Sequence, residues 1–128
     1  MSRPSLILLK IRLSSIGWTL KDGILLNEPV IHSMKYVIHA YDHTDANALA
    51  RRMAARPDHF AYVRQLKEKG QFILGGALLS PEETMIGSML LLDFDTEEQL
   101  QEYLKTDPYI VQGVWEKVDT KPFRQADV

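Results

Sequence analysis

The sequence predicts an α+β domain whose elements run β-α-β-β-α-β, and three observations carry that reading. β-branched and apolar runs of strand length alternate with helix-length segments. Helix start signals recur, as a capping box at Thr96-Glu97-Glu98-Gln99 and as the pair Asp107-Pro108. Glycines punctuate the joins, at Gly70 and Gly113. An element order of this kind builds the ferredoxin-like split βαβ sheet.

The first strand begins at Met34 and runs through Tyr36, Val37, Ile38 and Tyr41, a β-branched and aromatic composition that suits a half-buried strand. Asp42-His43-Thr44-Asp45 closes it. The segment 46–55 is alanine-rich with Leu49 and Met53 four apart, which gives a short helix with one apolar side. Proline is favoured in a helix's first turn and costly inside one, so the first helix is expected to split near Arg56-Pro57. The second piece would run to Gly70 with Phe60, Val63 and Leu66 on its core face, and the break would leave His59 at an exposed segment start. A strand over 71–79 follows, its Gly75-Gly76 pair implying a bulge or a close backbone approach. Residues 88–94 are nearly all apolar, as in a central strand covered on both faces. Leu100, Tyr103 and Leu104 form the buried stripe of the next helix, Asp107-Pro108 opens one short turn, and the last strand starts at Val114 and ends around Lys121-Pro122-Phe123. Such a sheet has one face covered by its own helices, so strands apolar on both sides predict a homodimer.

At 128 residues with 45% hydrophobic content, the chain fits one domain with a real core. A net charge of −2 supplies no global basic field, so neither nucleic acid nor an anionic membrane is an expected partner. The absence of cysteine removes thiolate nucleophiles, disulfides and cysteine-based zinc sites, and fits a cytoplasmic protein. Residues 1–33 differ from the rest: Arg3, Lys10, Arg12 and Lys21 against Asp22 and Glu28 give +2, leaving −4 for the remainder. Their apolar run Leu6-Ile7-Leu8-Leu9 stops at Lys10, far short of the roughly 18 residues of a membrane span. This stretch reads as an extension outside the fold, and its Arg, Ser and Leu content also has the character of an organelle transit peptide. The folded domain is expected over 34–128.

Several linked features resemble the YCII-related (YciI-like) family, a branch of the dimeric α+β barrel superfamily. They are Ala40-Tyr41-Asp42 closing the first strand, Arg56-Pro57-Asp58-His59-Phe60, Gly70 before Gly75-Gly76, Gly87-Ser88, Asp107-Pro108-Tyr109, Gly113-Val114 and Lys121-Pro122-Phe123. The resemblance spans Met34 to about Arg124 and implies a ferredoxin-like monomer, a barrel formed across a dimer, and a cleft with a histidine and an aspartate suspected of catalysis. His59 and Asp107 stand at those positions. The chain departs from the pattern before Met34 and at His39, where an apolar or aromatic residue would be expected.

Chemistry points to the same pair. A neutral histidine titrating near about 6.5 is a natural general base, and a carboxylate on its other ring nitrogen fixes the tautomer. Asp107 before Pro108 equally has the form of a helix N-cap, a role worth about 1 kcal/mol. Arg56 is a candidate clamp for a substrate carboxylate, Ser88 a hydroxyl that could bind or attack, and Gly75 and Gly76 backbone that could hold an anion or carbonyl oxygen. His39 and His43 are four apart on an extended segment, which does not bring them together, and no metal or other cofactor is expected. Two readings follow. One is a cofactor-independent lyase, isomerase or hydrolase acting on a small anionic or aromatic compound. The alternative is a non-catalytic small-ligand-binding or accessory domain.

Overall fold

The computed structural model describes residues 16–29 and 34–128, which fall in two units divided at residue 33. In the first unit, strands β1 (Ile16–Lys21) and β2 (Ile24–Pro29) pair antiparallel. Asp22 and Gly23 join them with φ of 54° and 75°, the positive values that let a two-residue turn follow the natural twist of a hairpin. The reading of residues 1–33 as a plain extension did not include this hairpin, although Asp-Gly is its usual signal. The apolar run Leu6–Leu9 and the transit-peptide character of the first residues lie outside the described residues.

The second unit has the expected β-α-β-β-α-β order: β3 (Met34–Asp42), α1 (Ala48–Glu68), β4 (Phe72–Leu79), β5 (Met85–Phe94), α2 (Glu97–Thr106), the single turn α3 (Pro108–Val111) and β6 (Trp115–Phe123). The sheet runs β4-β5-β3-β6, antiparallel throughout. Alternation along β3 turns Tyr36, Ile38, Ala40 and Asp42 to the buried side. There they meet Leu90, Leu92 and Phe94 of β5, Ala55 and Leu66 of α1, and Leu100 and Tyr103 of α2. β5 is the most deeply covered strand, as its apolar run predicts, and Pro122 sits in the edge strand β6, where a missing N–H is tolerated. Between the two central strands the backbones come so close that a Cβ on Gly87 would stand 2.3 Å from the Ala40 carbonyl oxygen. The opposite side of the sheet carries Tyr41 and Leu74 in exposed positions, with Val37 and Met89 half-buried beside them.

Helix α1 corrects the expected split: it runs unbroken from Ala48 to Glu68 with Pro57 inside it. Proline already has a helical φ and forfeits one backbone bond, a loss that packing of the buried stripe Arg52, Ala55, His59 and Leu66 outweighs. Of the expected core face, Leu66 is buried and Val63 packs against the core, while Phe60 is not buried. Leu49, Met53 and Phe60 are exposed, and two of the four fully buried positions are polar. His59 is buried in mid-helix instead of standing at an open segment start. The helix ends before Gly70, whose φ of 73° supplies the left-handed turn. At α2 the capping box forms with one shift: Thr96 Oγ1 accepts from the Gln99 N–H at 3.2 Å, while Gln99 Oε1 accepts from the Asp95 N–H at 2.8 Å. Among the described residues no helix is long and apolar enough to cross a membrane.

Candidate active site

Two turns of α1 aim Arg52, Arg56 and His59 toward one cleft, because positions 52, 56 and 59 share a side of the helix. Ser88 from β5, Gly75 and Gly76 from β4, and Tyr109 from α3 complete its lining, with Phe60 and Phe72 among the apolar walls. The space measures about 160 Å³, the size of a small metabolite. Five of the six residues singled out in the sequence line it, and the sixth, Asp107, stands directly behind His59.

His59 Nδ1 and Asp107 Oδ1 are 2.7 Å apart. Asp107 is completely buried, and each of its remaining bonds comes from a donor: the Tyr109 N–H at 2.9 Å on Oδ1, and the Tyr103 hydroxyl on Oδ2. The cap and the histidine partner are thus one residue, and the two roles do not compete. A buried carboxylate needs such donors to stay ionised. An ionised Oδ1 can only accept, so Nδ1 carries a ring proton, and in the neutral form of the ring the lone pair lies on Nε2. The Tyr109 ring stacks on the imidazole with centroids 3.8 Å apart, and Trp115 meets it edge-on at 6.0 Å. Burial and the neighbouring Asp107 charge push the Tyr103 phenol well above its ordinary ionisation range, so it stays a donor.

A second polar group under the cleft escaped the sequence reading. Arg52 Nη1 holds both oxygens of Asp42, at 2.9 and 3.1 Å, and Arg52 Nη2 donates to Ser88 Oγ at 2.8 Å. Trp115 Nε1 donates to the same Oγ at 3.3 Å. The Arg52 guanidinium lies over the Tyr109 ring, 4.8 Å from its centroid, so the two polar groups share one aromatic residue. Burial drives the Asp42 carboxyl upward in pKa while Arg52 pulls it down. The signal for this group was present: Arg52 stands seven residues before His59, two turns along one face, and Asp42 continues the inward alternation of Tyr36, Ile38 and Ala40. A charged residue at such a position reads by default as solvated.

Arg56 lies over the Phe60 ring at 4.6 Å and, among the described residues, pairs with no carboxylate. Gly75 is tightly enclosed, since a Cβ would stand 2.9 Å from the Met89 carbonyl oxygen, whereas Gly76 has nothing within 4 Å of the same point. β4 shifts register between Phe72 and Leu74 and between Leu78 and Leu79, while Gly75 and Gly76 pair regularly, so of the two expectations for these glycines the close backbone approach is the one seen, at Gly75. Among the described residues no three potential ligand side chains gather as a metal site would require.

The family model of the YCII-related domain matches residues 34–124. The chain belongs to the YCII-related family. It is 32% identical to protein YciI of Escherichia coli O6:H1 over 98 residues, covering 72% of this chain and 98% of that protein. An uncharacterised protein of Haemophilus influenzae is 31% identical over the same shares. Among solved structures, 5-chloro-2-hydroxyhydroquinone dehydrochlorinase (TftG) of Burkholderia phenoliruptrix, in complex with 2,5-dihydroxybenzoquinone, superposes with a TM-score of 0.63 at 20% identity, covering 73% of this chain and 96% of that one. This likeness gives the YCII-related domain its α+β fold class, with the helices on one side of a four-stranded antiparallel sheet.

Proposed function

We propose that this YCII-related protein is a cofactor-independent enzyme of lyase, isomerase or hydrolase type that draws a proton from a small anionic or aromatic compound. His59 acts through Nε2 as the general base, and Asp107 holds the ring in the productive tautomer and stabilises the imidazolium that forms. The observation that carries this reading is the 2.7 Å contact of His59 Nδ1 with a fully buried Asp107 at the wall of a cleft. Arg56 supplies positive charge at the same cleft, Ser88 a hydroxyl, and Gly76 an unobstructed stretch of wall against which a flat substrate can lie, beside the tightly enclosed Gly75. The name of the structurally similar dehydrochlorinase, a lyase-type activity on a hydroxylated ring, supports the same substrate class.

Turnover of a panel of small hydroxylated aromatic and keto acids tests the reading. His59→Ala is expected to lower kcat by about 10²–10⁴ while the far-UV spectrum stays native. The accessory-domain reading gains from the cap that Asp107 provides to α3, and it would be preferred if a compound binds with equal affinity to wild type and His59→Ala and neither turns it over.

The active form in this proposal is a homodimer. Tyr41 and Leu74 are exposed on the sheet side opposite the helices, a surface that a second copy would cover.

A further inference from the structure

A serine hydroxyl has two acceptor sites and one proton. Both acceptor sites of Ser88 Oγ are occupied, by Arg52 Nη2 at 2.8 Å and Trp115 Nε1 at 3.3 Å, and both of those groups can only donate. The remaining proton meets no acceptor among the described residues, and Ser88 lines the cleft. No hydrogen bond joins it to His59, so no base is in place to activate it for attack. Accepting from a guanidinium also polarises the hydroxyl and strengthens it as a donor.

We infer that Ser88 is a locked hydrogen-bond donor for an oxygen anion of the substrate, a phenolate or enolate, with Arg52 and Trp115 as the positioning residues that aim it. The charged groups around it agree in sign. Arg52 is paired with Asp42 behind the cleft wall, and Arg56 brings to the cleft a positive charge that meets no carboxylate among the described residues. Tyr109, Phe60 and Phe72 fit a flat ring. The substrate would thus place its oxygen on Ser88 and its acidic hydrogen toward His59, so that the negative charge created by proton removal arises where a donor already stands. This deepens the proposed function and rests on it only for the direction of the proton.

The probe is 4-nitrophenol, whose phenol and phenolate forms have different absorbance and interconvert near neutral pH. Titrated against wild-type protein, it is expected to bind as phenolate at least about tenfold more tightly than as phenol, an ionisation shifted down by about one pH unit. Ser88→Ala is expected to bring that ratio close to one. Trp115→Phe, which frees one acceptor site and lets the hydroxyl turn, is expected to reduce it several-fold. The ratio is read on binding alone and needs no turnover, so a failure of the base reading shows in turnover of the substrate panel and a failure of the donor reading in this ratio. Unchanged preference in Ser88→Ala would overturn the assignment to Ser88. Equal binding of both forms by the wild type, or no binding of either below about millimolar concentration, would overturn the oxygen-anion class.

Discussion

The imidazole of His59 and the phenol ring of Tyr109 lie within 9° of parallel, 3.8 Å between centroids. The stack holds the His59 ring in the plane that brings Nδ1 to Asp107, so Tyr109 contributes to both orientation and packing. Tyr109→Leu keeps an apolar filler but removes the flat support. It is expected to cost about 1–3 kcal/mol in urea unfolding and to lower turnover roughly tenfold or more by letting the ring swing.

Asp107 serves three donors at once, which separates its removal from the loss of an ordinary cap. Asp107→Ala would strand the Tyr109 N–H, the Tyr103 hydroxyl and His59 Nδ1. The expected loss is about 3–5 kcal/mol, against about 1 kcal/mol for a cap alone. Urea midpoints at neutral pH decide between them, and a loss near the smaller figure would leave the histidine contact with no energetic weight.

Tyr103 gives an alkaline signature. Its folded-state pKa is raised, chiefly by burial, so the folded protein favours the neutral phenol. That contribution is intact below the unfolded ionisation near about pH 10 and is lost as pH rises toward the folded value, by up to about 1.4 kcal/mol per pH unit. Tyr36, Tyr62 and Tyr109 are shifted in the same direction. Unfolding measured between pH 9 and 11 is expected to show falling stability, less steep in Tyr103→Phe than in wild type. Parallel slopes would show that Tyr103 ionises freely in the fold.

Pro57 deprives the Met53 carbonyl of its helical donor. Pro57→Ala restores it and is expected to stabilise the protein by about 1–3 kcal/mol, read as a raised urea midpoint with unchanged helix content. A lowered midpoint would mean that the proline's own packing outweighs the missing bond.

The homodimer is tested on the open side of the sheet. Leu74→Glu puts a charge on that surface without touching the helix-side core, and sedimentation equilibrium is expected to find dimer for wild type and monomer for the variant. A wild-type monomer at micromolar concentration would remove the dimer from the proposal.

Most of the fold was legible because strands and start signals obey local rules. Thr96 and Asp107 cap the helices they appear to cap, and the alternation along β3 points inward as written. Helix α1 was misread for a tertiary reason. Its buried stripe contains Arg52 and His59, so hydrophobic periodicity pointed to Leu49, Met53 and Phe60 on the wrong side, and the local cost of Pro57 was outweighed by packing that no short window contains. His59 and Asp107 could be singled out from residue type and context. Arg52 and Asp42 were signalled only by register, and a charged residue reads by default as solvated, while the role of Trp115 depends on a contact with Ser88 that exists only once the sheet forms.

The narrow passage at Gly87 bears on how this sheet avoids mistakes. If β5 slid by two residues along β3, Met85 or Met89 would bring a side chain to the Ala40 carbonyl, where even a Cβ has no room. The missing side chain therefore works as a key cut for one alignment, rejecting its neighbours by collision. Because Ser88 is the next residue, the same device that excludes a slipped sheet also delivers that hydroxyl opposite Ala40, at the cleft and nowhere else.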